Sequence, residues 1–223
     1  MISTLNNGKH TIPIGKLPKL ALQTILGFSC LVNLAWAGGN TAIQTEISAW
    51  SGLSRIEFSW SGAHQGDSAS WQDSGSAAGA DLALKAIIHK DAGLTLRFSG
   101  WLSNSAITAT EGVHKFTARL PFGGEAMVLA SLQPNEITTI EAGLGMAGAR
   151  LELDTYRNQT VYITSWTNTW GVAYYGSIRI NLAAGWQTGA GISLTRYATQ
   201  SWRGANELEP EHARLSLSFG YSW

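Results

Sequence analysis

The segment Leu215-Ser-Leu-Ser-Phe-Gly-Tyr-Ser-Trp223 alternates apolar residues with small or polar ones at every step. A period of two is the signature of a β-strand, whose successive side chains leave opposite faces. Leu215, Leu217, Phe219, Tyr221 and Trp223 share one face, while Ser216, Ser218, Gly220 and Ser222 share the other. A strand this one-sided needs a broad apolar medium on one side only.

The same pattern recurs upstream. Ile56, Phe58 and Trp60 alternate with Arg55, Glu57 and Ser59. Leu82, Leu84, Ala86 and Ile88 alternate with Ala83, Lys85, Ile87 and His89, and a tight turn at 90–93 leads to Leu94, Leu96 and Phe98 against Thr95, Arg97 and Ser99. Phe116, Ala118, Leu120 and Phe122 oppose Lys115, Thr117 and Arg119, with a turn expected at Gly123-Gly124. Strands are also expected over 125–133, 138–153, 160–168, 170–184, 188–197 and 212–223, with long loops over 62–79 and 198–211. Within 138–153 the apolar parity changes, from Ile140, Ala142, Leu144 and Met146 to Leu151 and Leu153, which predicts a β-bulge near Gly148-Ala149. Counting 42–61 as one strand gives ten strands, and merging weak hairpins in 160–197 gives eight.

Composition separates the amino-terminal region from the rest. Lys9, Lys16 and Lys19 precede a mostly apolar stretch from Leu20 to Trp36, and Ala35-Trp36-Ala37 has the small-x-small form of a cleavage site, so 1–37 reads as a cleaved secretory signal and 38–223 as one domain. Cys30, the only cysteine, falls in that signal and lacks a Leu three residues before it, which argues against lipidation. A mature chain from 38 has no thiol for disulfides, thiolate metal sites or nucleophilic catalysis. It holds all fifteen acidic residues against twelve Lys and Arg, and no apolar run near the about twenty residues of a membrane helix. Abundant Gly, ten Trp and few charges suit a sheet with one face against lipid.

Together, the signal and the closing alternation that ends on Trp223 resemble those of bacterial outer-membrane β-barrels, in particular the small OmpA- and OmpX-type class. The resemblance implies an all-β fold, a transmembrane antiparallel up-and-down barrel of eight to ten strands. Phe219, Tyr221 and Trp223 would then form the signal read by the barrel-assembly machinery. A soluble lipocalin-like barrel is the competing fold, with the apolar face turned inward.

If the apolar faces meet lipid, the opposite faces line a lumen. That set is Arg55, Glu57, Lys85, Arg97, Lys115, Arg119, Glu141, Arg150, Glu152, Arg179 and Arg214, eight cations to three anions. Buried charges need partners, so the set reads as an ion network that closes the lumen, or as an anion-attracting passage whose walls focus the field. Trp101 is a candidate for its wall.

Asp67, Asp73, Glu111, Glu136 and the run Glu207, Glu209, Glu211 would make the outer loops acidic. Glu207, Glu209 and Glu211 are candidate ligands for a hard divalent cation bridging lipopolysaccharide, but they lack a Gly-and-Asp cage, and a solvated loop explains them better. Arg203 beside Trp202 is placed to meet lipid phosphates or glycans. His64, Asp67 and Ser68 form the one local Ser/His/Asp grouping, without a Gly-x-Ser-x-Gly elbow. His89, His114 and His212 read as interfacial. No motif of a known barrel enzyme, cofactor site or nucleic-acid module is visible.

The functional expectation is a non-enzymatic outer-membrane barrel with a surface-interaction or envelope-integrity role. A narrow anion or carbohydrate passage, such as an accessory barrel of exopolysaccharide secretion, and a lipid A-modifying enzyme are the alternatives. Expected partners are outer-membrane lipid and lipopolysaccharide, the assembly machinery, and a glycan or envelope protein, with no cofactor and no nucleic acid.

Overall fold

The structure, a computed structural model, describes residues 42–61, 68–89, 91–111, 114–157, 160–202 and 206–223. The predicted signal with Cys30, and the candidates His64, Asp67 and Arg203, lie outside the described residues. The strands are β1 (Ala42–Ser61), β2 (Ser68–His89), β3 (Ala92–Ser103), β4 (Ala106–Glu111), β5 (His114–Arg119), β6 (Phe122–Leu132), β7 (Thr138–Arg157), β8 (Thr160–Asn181), β9 (Trp186–Tyr197), β10 (Gln200–Trp202) and β11 (Asn206–Ser222).

All pairings are antiparallel, and β1-β2-β3-β6-β7-β8-β9-β11 closes on itself, an eight-stranded up-and-down barrel. Closure runs through β1 and β11, where the Thr45 and Trp223 backbones exchange N–H···O bonds of 3.0 and 3.1 Å. A closed ladder leaves no unpaired edge, the condition for strands to cross lipid.

Each strand carries about nine to eleven residues of lipid-facing sequence, the length that spans a bilayer when tilted. Ile47 and Leu53 mark this belt on β1, Phe98 and Leu102 on β3, Ile140 and Leu144 on β7, Tyr174 and Ile178 on β8, and Leu215, Leu217 and Phe219 on β11, all exposed. At one end lie the short turns at Asp91, 133–137 and 182–185, the last with Gly185 at φ +82°. Short turns face the periplasm in this architecture. Glu136, expected in an outer loop, belongs to that end.

At the other end the long strands run past the belt, and there the ladder opens. The β2–β3 pairing ends at Ala77–Ser103, extended one step by Asn104, whose N–H reaches the Ser76 carbonyl at 3.1 Å. The β8–β9 pairing ends at Gly171–Tyr197, with a last bond from the Ala198 N–H to the Trp170 carbonyl at 2.7 Å. Beyond these points one sheet is formed by the outer parts of β2, β1, β11 and β10, the other by β4, β5, β7 and β8. The barrel becomes a two-sheet sandwich.

Polarity inverts with that change. Ile56, Phe58, Ile107, Phe116, Ala118, Leu120, Leu151, Leu153 and Leu208 are buried between the sheets. Trp71 of β2 meets Phe116 of β5 edge-on, with centroids 5.3 Å apart. This corrects the expectation that Ile56, Phe58, Phe116 and Leu120 face lipid: above the belt the outside is water, so the apolar side turns inward. The same inversion explains the parity change in β7. Its register runs unbroken through Gly148-Ala149 against both neighbours, so no bulge lies there, and the shift falls at Thr155/Tyr156. Gly123-Gly124 is not a turn either. Both residues sit inside β6, and a Cβ on Gly123 would run into the Trp101 ring.

Phe58→Ala should therefore lower the unfolding free energy by about 3–5 kcal/mol. Arg55→Ala, on the opposite face of the same strand, should stay within about 0.5 kcal/mol. Urea unfolding in phospholipid vesicles, followed by tryptophan fluorescence, reads both. Equal effects would contradict the inversion.

Candidate functional site: the lumen and the outer rim

Within the belt the interior is polar because β-strand alternation, having sent the apolar side chains to lipid, leaves the others to face each other. The Arg179 guanidinium donates to Glu46 and, at 2.6 Å, to Glu141 Oε2. Glu141 Oε2 lies 3.9 Å from Arg97 Nη1, and its Oε1 accepts from Thr95 Oγ1 at 3.2 Å. Arg97 donates to Asp81, which also accepts from Trp50 Nε1 at 3.2 Å and Ser48 Oγ at 3.3 Å. The Tyr175 ring covers the Arg97 guanidinium at 4.3 Å.

Toward the outer end a second pair continues the column. Arg214 Nη2 donates to Glu125 Oε1 at 2.5 Å, and Thr195 Oγ1 donates to the same oxygen at 3.3 Å. The Arg214 guanidinium lies 4.9 Å from the Trp50 ring and 5.5 Å from Trp101, and Trp101 in turn meets His212 with centroids 4.5 Å apart. His212 is buried inside the barrel and not interfacial.

The charge balance differs from expectation. Lys85, Arg97, Arg179 and Arg214 line the lumen within the belt, and opposite them stand Glu46, Asp81, Glu125 and Glu141. Four cations meet four carboxylates. Asp81 and Glu125 were missed because each lies in a stretch whose alternation is weak, beside Ala and Gly, and Glu46 was missed with them. Two cavities interrupt the filling. One, of about 100 Å³, opens at the short-turn end among Gln44, Glu46, Lys85, Glu141, Arg179 and Gln187. The other holds about 10 Å³ beside Arg97, Glu125 and Arg214.

The remaining expected lumen residues lie on the outer surface above the belt. Arg55 and Glu57 pair there at 3.3 Å. Arg150 Nε meets Glu152 at 2.9 Å, and Arg119 bridges Glu152 at 2.9 Å and Asp154 at 3.0 Å. Lys115 rests 5.5 Å from the Tyr156 ring, and Arg150 lies 4.6 Å from Trp166. These residues share a strand face with the belt, but at a height where that face meets water.

Glu207, Glu209 and Glu211 follow one another along the outer face of β11. Glu211 takes Arg196 at 3.0 Å and Glu209 accepts from Thr199 at 3.3 Å. Among the described residues no group of three His, Cys, Asp or Glu is placed to hold a metal ion. Ser68 begins β2, while its proposed partners lie outside the described residues. His89 is exposed at the short-turn end of β2. Phe219, Tyr221 and Trp223 form an aromatic row at the inner rim, with Trp186 stacked on Phe219 at 4.9 Å and Tyr221 6.1 Å from Trp223.

No family model matches the chain, and no curated protein sequence matches it. Among solved structures the barrel is similar to the outer membrane protein OprG from Pseudomonas aeruginosa, with 11% identity, 83% of this chain and 98% of that one covered, and a TM-score of 0.48. It is similar to Ail, the attachment invasion locus protein of Yersinia pestis, with 12% identity, 81% and 98% coverage and a TM-score of 0.42. It is also similar to Neisserial surface protein A, with 9% identity, 82% and 98% coverage and a TM-score of 0.45. The closed ladder, lipid-facing belt and polar interior make this chain a small up-and-down β-barrel of the bacterial outer membrane.

Arg179→Met should destabilise the barrel by about 3–5 kcal/mol, because it strands the Glu46 and Glu141 carboxylates in a buried site. Adding Glu46→Gln and Glu141→Gln to that variant should recover most of the loss. Equilibrium unfolding of the series measures the coupling, and strict additivity would rule the network out.

Proposed function

We propose that this barrel is sealed and non-enzymatic, and that its work is a surface-interaction or envelope-integrity role carried by the part that rises above the membrane. The observation behind this reading is the two-tier filling of the axis. A charge-balanced ion column occupies the belt, and an apolar sandwich core stands directly over it.

An ion entering from either side meets both obstacles. Each lumen carboxylate already holds a guanidinium, so a permeating anion would have to displace a desolvated ion pair. Above that column, the side chains of Ile56, Phe58, Leu120, Leu151 and Leu208 offer nothing to replace its hydration. With the inward charges balanced, the excess of positive charge that an anion passage needs is missing, which weighs against the passage reading.

What the outer part offers is surface. The strands of the sandwich present Arg55, Glu57, Gln72, Arg119 and Glu209 to solvent beside the headgroups of the outer leaflet. Lipopolysaccharide and envelope or external proteins are the partners such a surface meets. On this reading the aromatic row ending at Trp223 serves as the strand recognised by the assembly machinery, and 1–37 as the export signal.

Purified protein in planar bilayers should show no steady current, at neutral pH and in about 1 M salt, where surface electrostatics are screened. Resolved anion-selective steps would overturn the sealed reading. Lipid A recovered after incubation with the protein should be unchanged by mass, and any deacylated or acylated product would replace a non-enzymatic role with lipid modification.

A further inference from the structure

We infer that the outer part of β8, from Thr160 to Trp170, is a docking edge that accepts an extended segment of another polypeptide as an added antiparallel strand. This rests on the surface-interaction reading above and names the kind of partner. The β8–β9 ladder stops at Gly171–Tyr197, yet β8 continues for another eleven residues, held only by β7 on its other side. The Trp170 carbonyl accepts from Ala198 at 2.7 Å, so Trp170 directs its backbone groups toward the β9 side. In an antiparallel strand every second residue does the same. Thr164, Trp166 and Asn168 therefore present their N–H and C=O groups to the seam, and among the described residues no backbone pairs with them there.

Across the seam stands β10, three residues long and hydrogen-bonded to β11. The seam is bridged at its base by side chains alone: Gln200 Nε2 donates to Thr169 Oγ1 at 3.2 Å, and Thr169 Oγ1 donates to the Ala198 carbonyl at 3.4 Å.

Proteins guard exposed edges with charges, prolines, bulges or short length. The other seam follows that rule. The β2 edge carries Gly75 and, opposite Ile56, Asp73, and its base is closed by the Asn104 carboxamide accepting from the Ser76 N–H at 2.7 Å. The β4 edge is six residues long. The β8 edge has one irregularity, the register shift between Val161 and Ile163, and from Ile163 to Trp170 it is unguarded. From 158 to 178 the sequence has no charged residue and no proline, and apart from Ser165 and Asn168 the edge from Thr160 to Trp170 is Thr, Val, Tyr, Ile and Trp. Ile163, Trp166 and Trp170 are 52%, 60% and 60% exposed, all at or above the upper limit of the belt.

A second copy of this chain does not fit. Antiparallel pairing of β8 with itself needs a two-fold axis normal to the barrel wall, which lies in the membrane plane and would invert one copy. Parallel pairing needs an axis along the strand, which with a tilt of about 40° would turn one barrel about 80° against the other. The occupant is a strand from a different polypeptide, uncharged along its length, with β-branched or aromatic residues alternating against Ile163 on one side and Trp166 and Trp170 on the other. Main-chain bonds supply affinity and the alternating side chains supply selection, as in strand addition generally.

The test uses the full chain reconstituted in phosphatidylethanolamine–phosphatidylglycerol vesicles and a synthetic peptide with the sequence Trp186–Thr195, the uncharged part of the natural neighbour of this edge lower down. Amide hydrogen exchange at Thr164, Trp166 and Asn168 should slow by about tenfold or more when the peptide is added. Asn168→Pro removes one seam-facing donor without touching the β7 ladder and should abolish the protection. Trp166→Lys, which keeps the backbone but adds a guarding charge, should weaken it by about tenfold. Unchanged exchange with peptide, or protection that survives both substitutions, overturns the proposal. Planar-bilayer current on the same preparation separates the two readings: a current with a protected edge removes the seal alone, and an unprotected edge without current removes the docking edge alone.

Discussion

The cost of placing charge inside a barrel eight strands wide governs this structure. Alternation along a lipid-crossing strand leaves its polar half nowhere to go but the lumen, and a lumen this narrow is filled by side chains, not by water. A lone carboxylate there would be prohibitive. Among the described residues the chain meets the constraint by setting four cations among four carboxylates and adding hydroxyl and indole donors from Ser48, Thr95, Thr195 and Trp50 to Asp81, Glu125 and Glu141. Because the partners come from β1, β2, β3, β6, β7, β8 and β11, the column ties the wall together across its diameter as well as along its ladder.

Above the membrane the constraint lifts and the opposite arrangement becomes favourable. Outside is now water, so a polar interior would bring no advantage and an apolar one contributes about 25 cal/mol for each Å² buried. The strands keep their alternation, and only the identity of each half changes. Ser54 is the last polar inward residue of β1, hydrogen-bonded to Ser103 at 2.9 Å, and Ile56 and Phe58 follow it. The opening of the ladder is the geometric counterpart, since two sheets pressed on a dry core pack more closely than a round wall allows.

Much of this was legible in the chain. Period-two alternation located the strands that cross the belt, and the belt residues of β3 and β11 read off directly. The outer parts of β2 and β11, expected as loops over 62–79 and 198–211, are strand, and β4 was not expected. What alternation does not carry is which half is inside. It defines two faces, and a second fact, the height relative to the membrane, decides their roles. Arg55, Glu57, Lys115, Arg119, Arg150 and Glu152 were assigned to the lumen because the rule that holds at Arg97 and Arg179 was extended past the belt. Arg150 and Ala149 belong to a single unbroken strand, so the parity change in β7 recorded the crossing from lipid to water, not an inserted residue. The missing anions were hidden for another reason: Asp81 and Glu125 are flanked by Ala and Gly, whose weak hydrophobicity blurs the two faces. The pairing across the barrel, Arg214 with Glu125, joins residues 89 apart and has no local sequence signal.

The two halves of the molecule place opposite demands on the backbone. In lipid, every N–H and C=O must be paired within the protein, so the ladder there has to be closed. In water that demand disappears, and an open edge is tolerated because solvent satisfies it. The seams begin where the belt ends for this reason. An edge tolerated by solvent is still an edge, though, and its character is then set by side chains. One seam is furnished with Asp73, Gly75 and the Asn104 carboxamide, which discourage pairing. Thr160 to Trp170 has none of these, and retains the β-branched and aromatic residues that favour it. On the proposed reading, keeping an open edge beside a guarded one places the capacity for interaction in the wall above the membrane and not in the lumen.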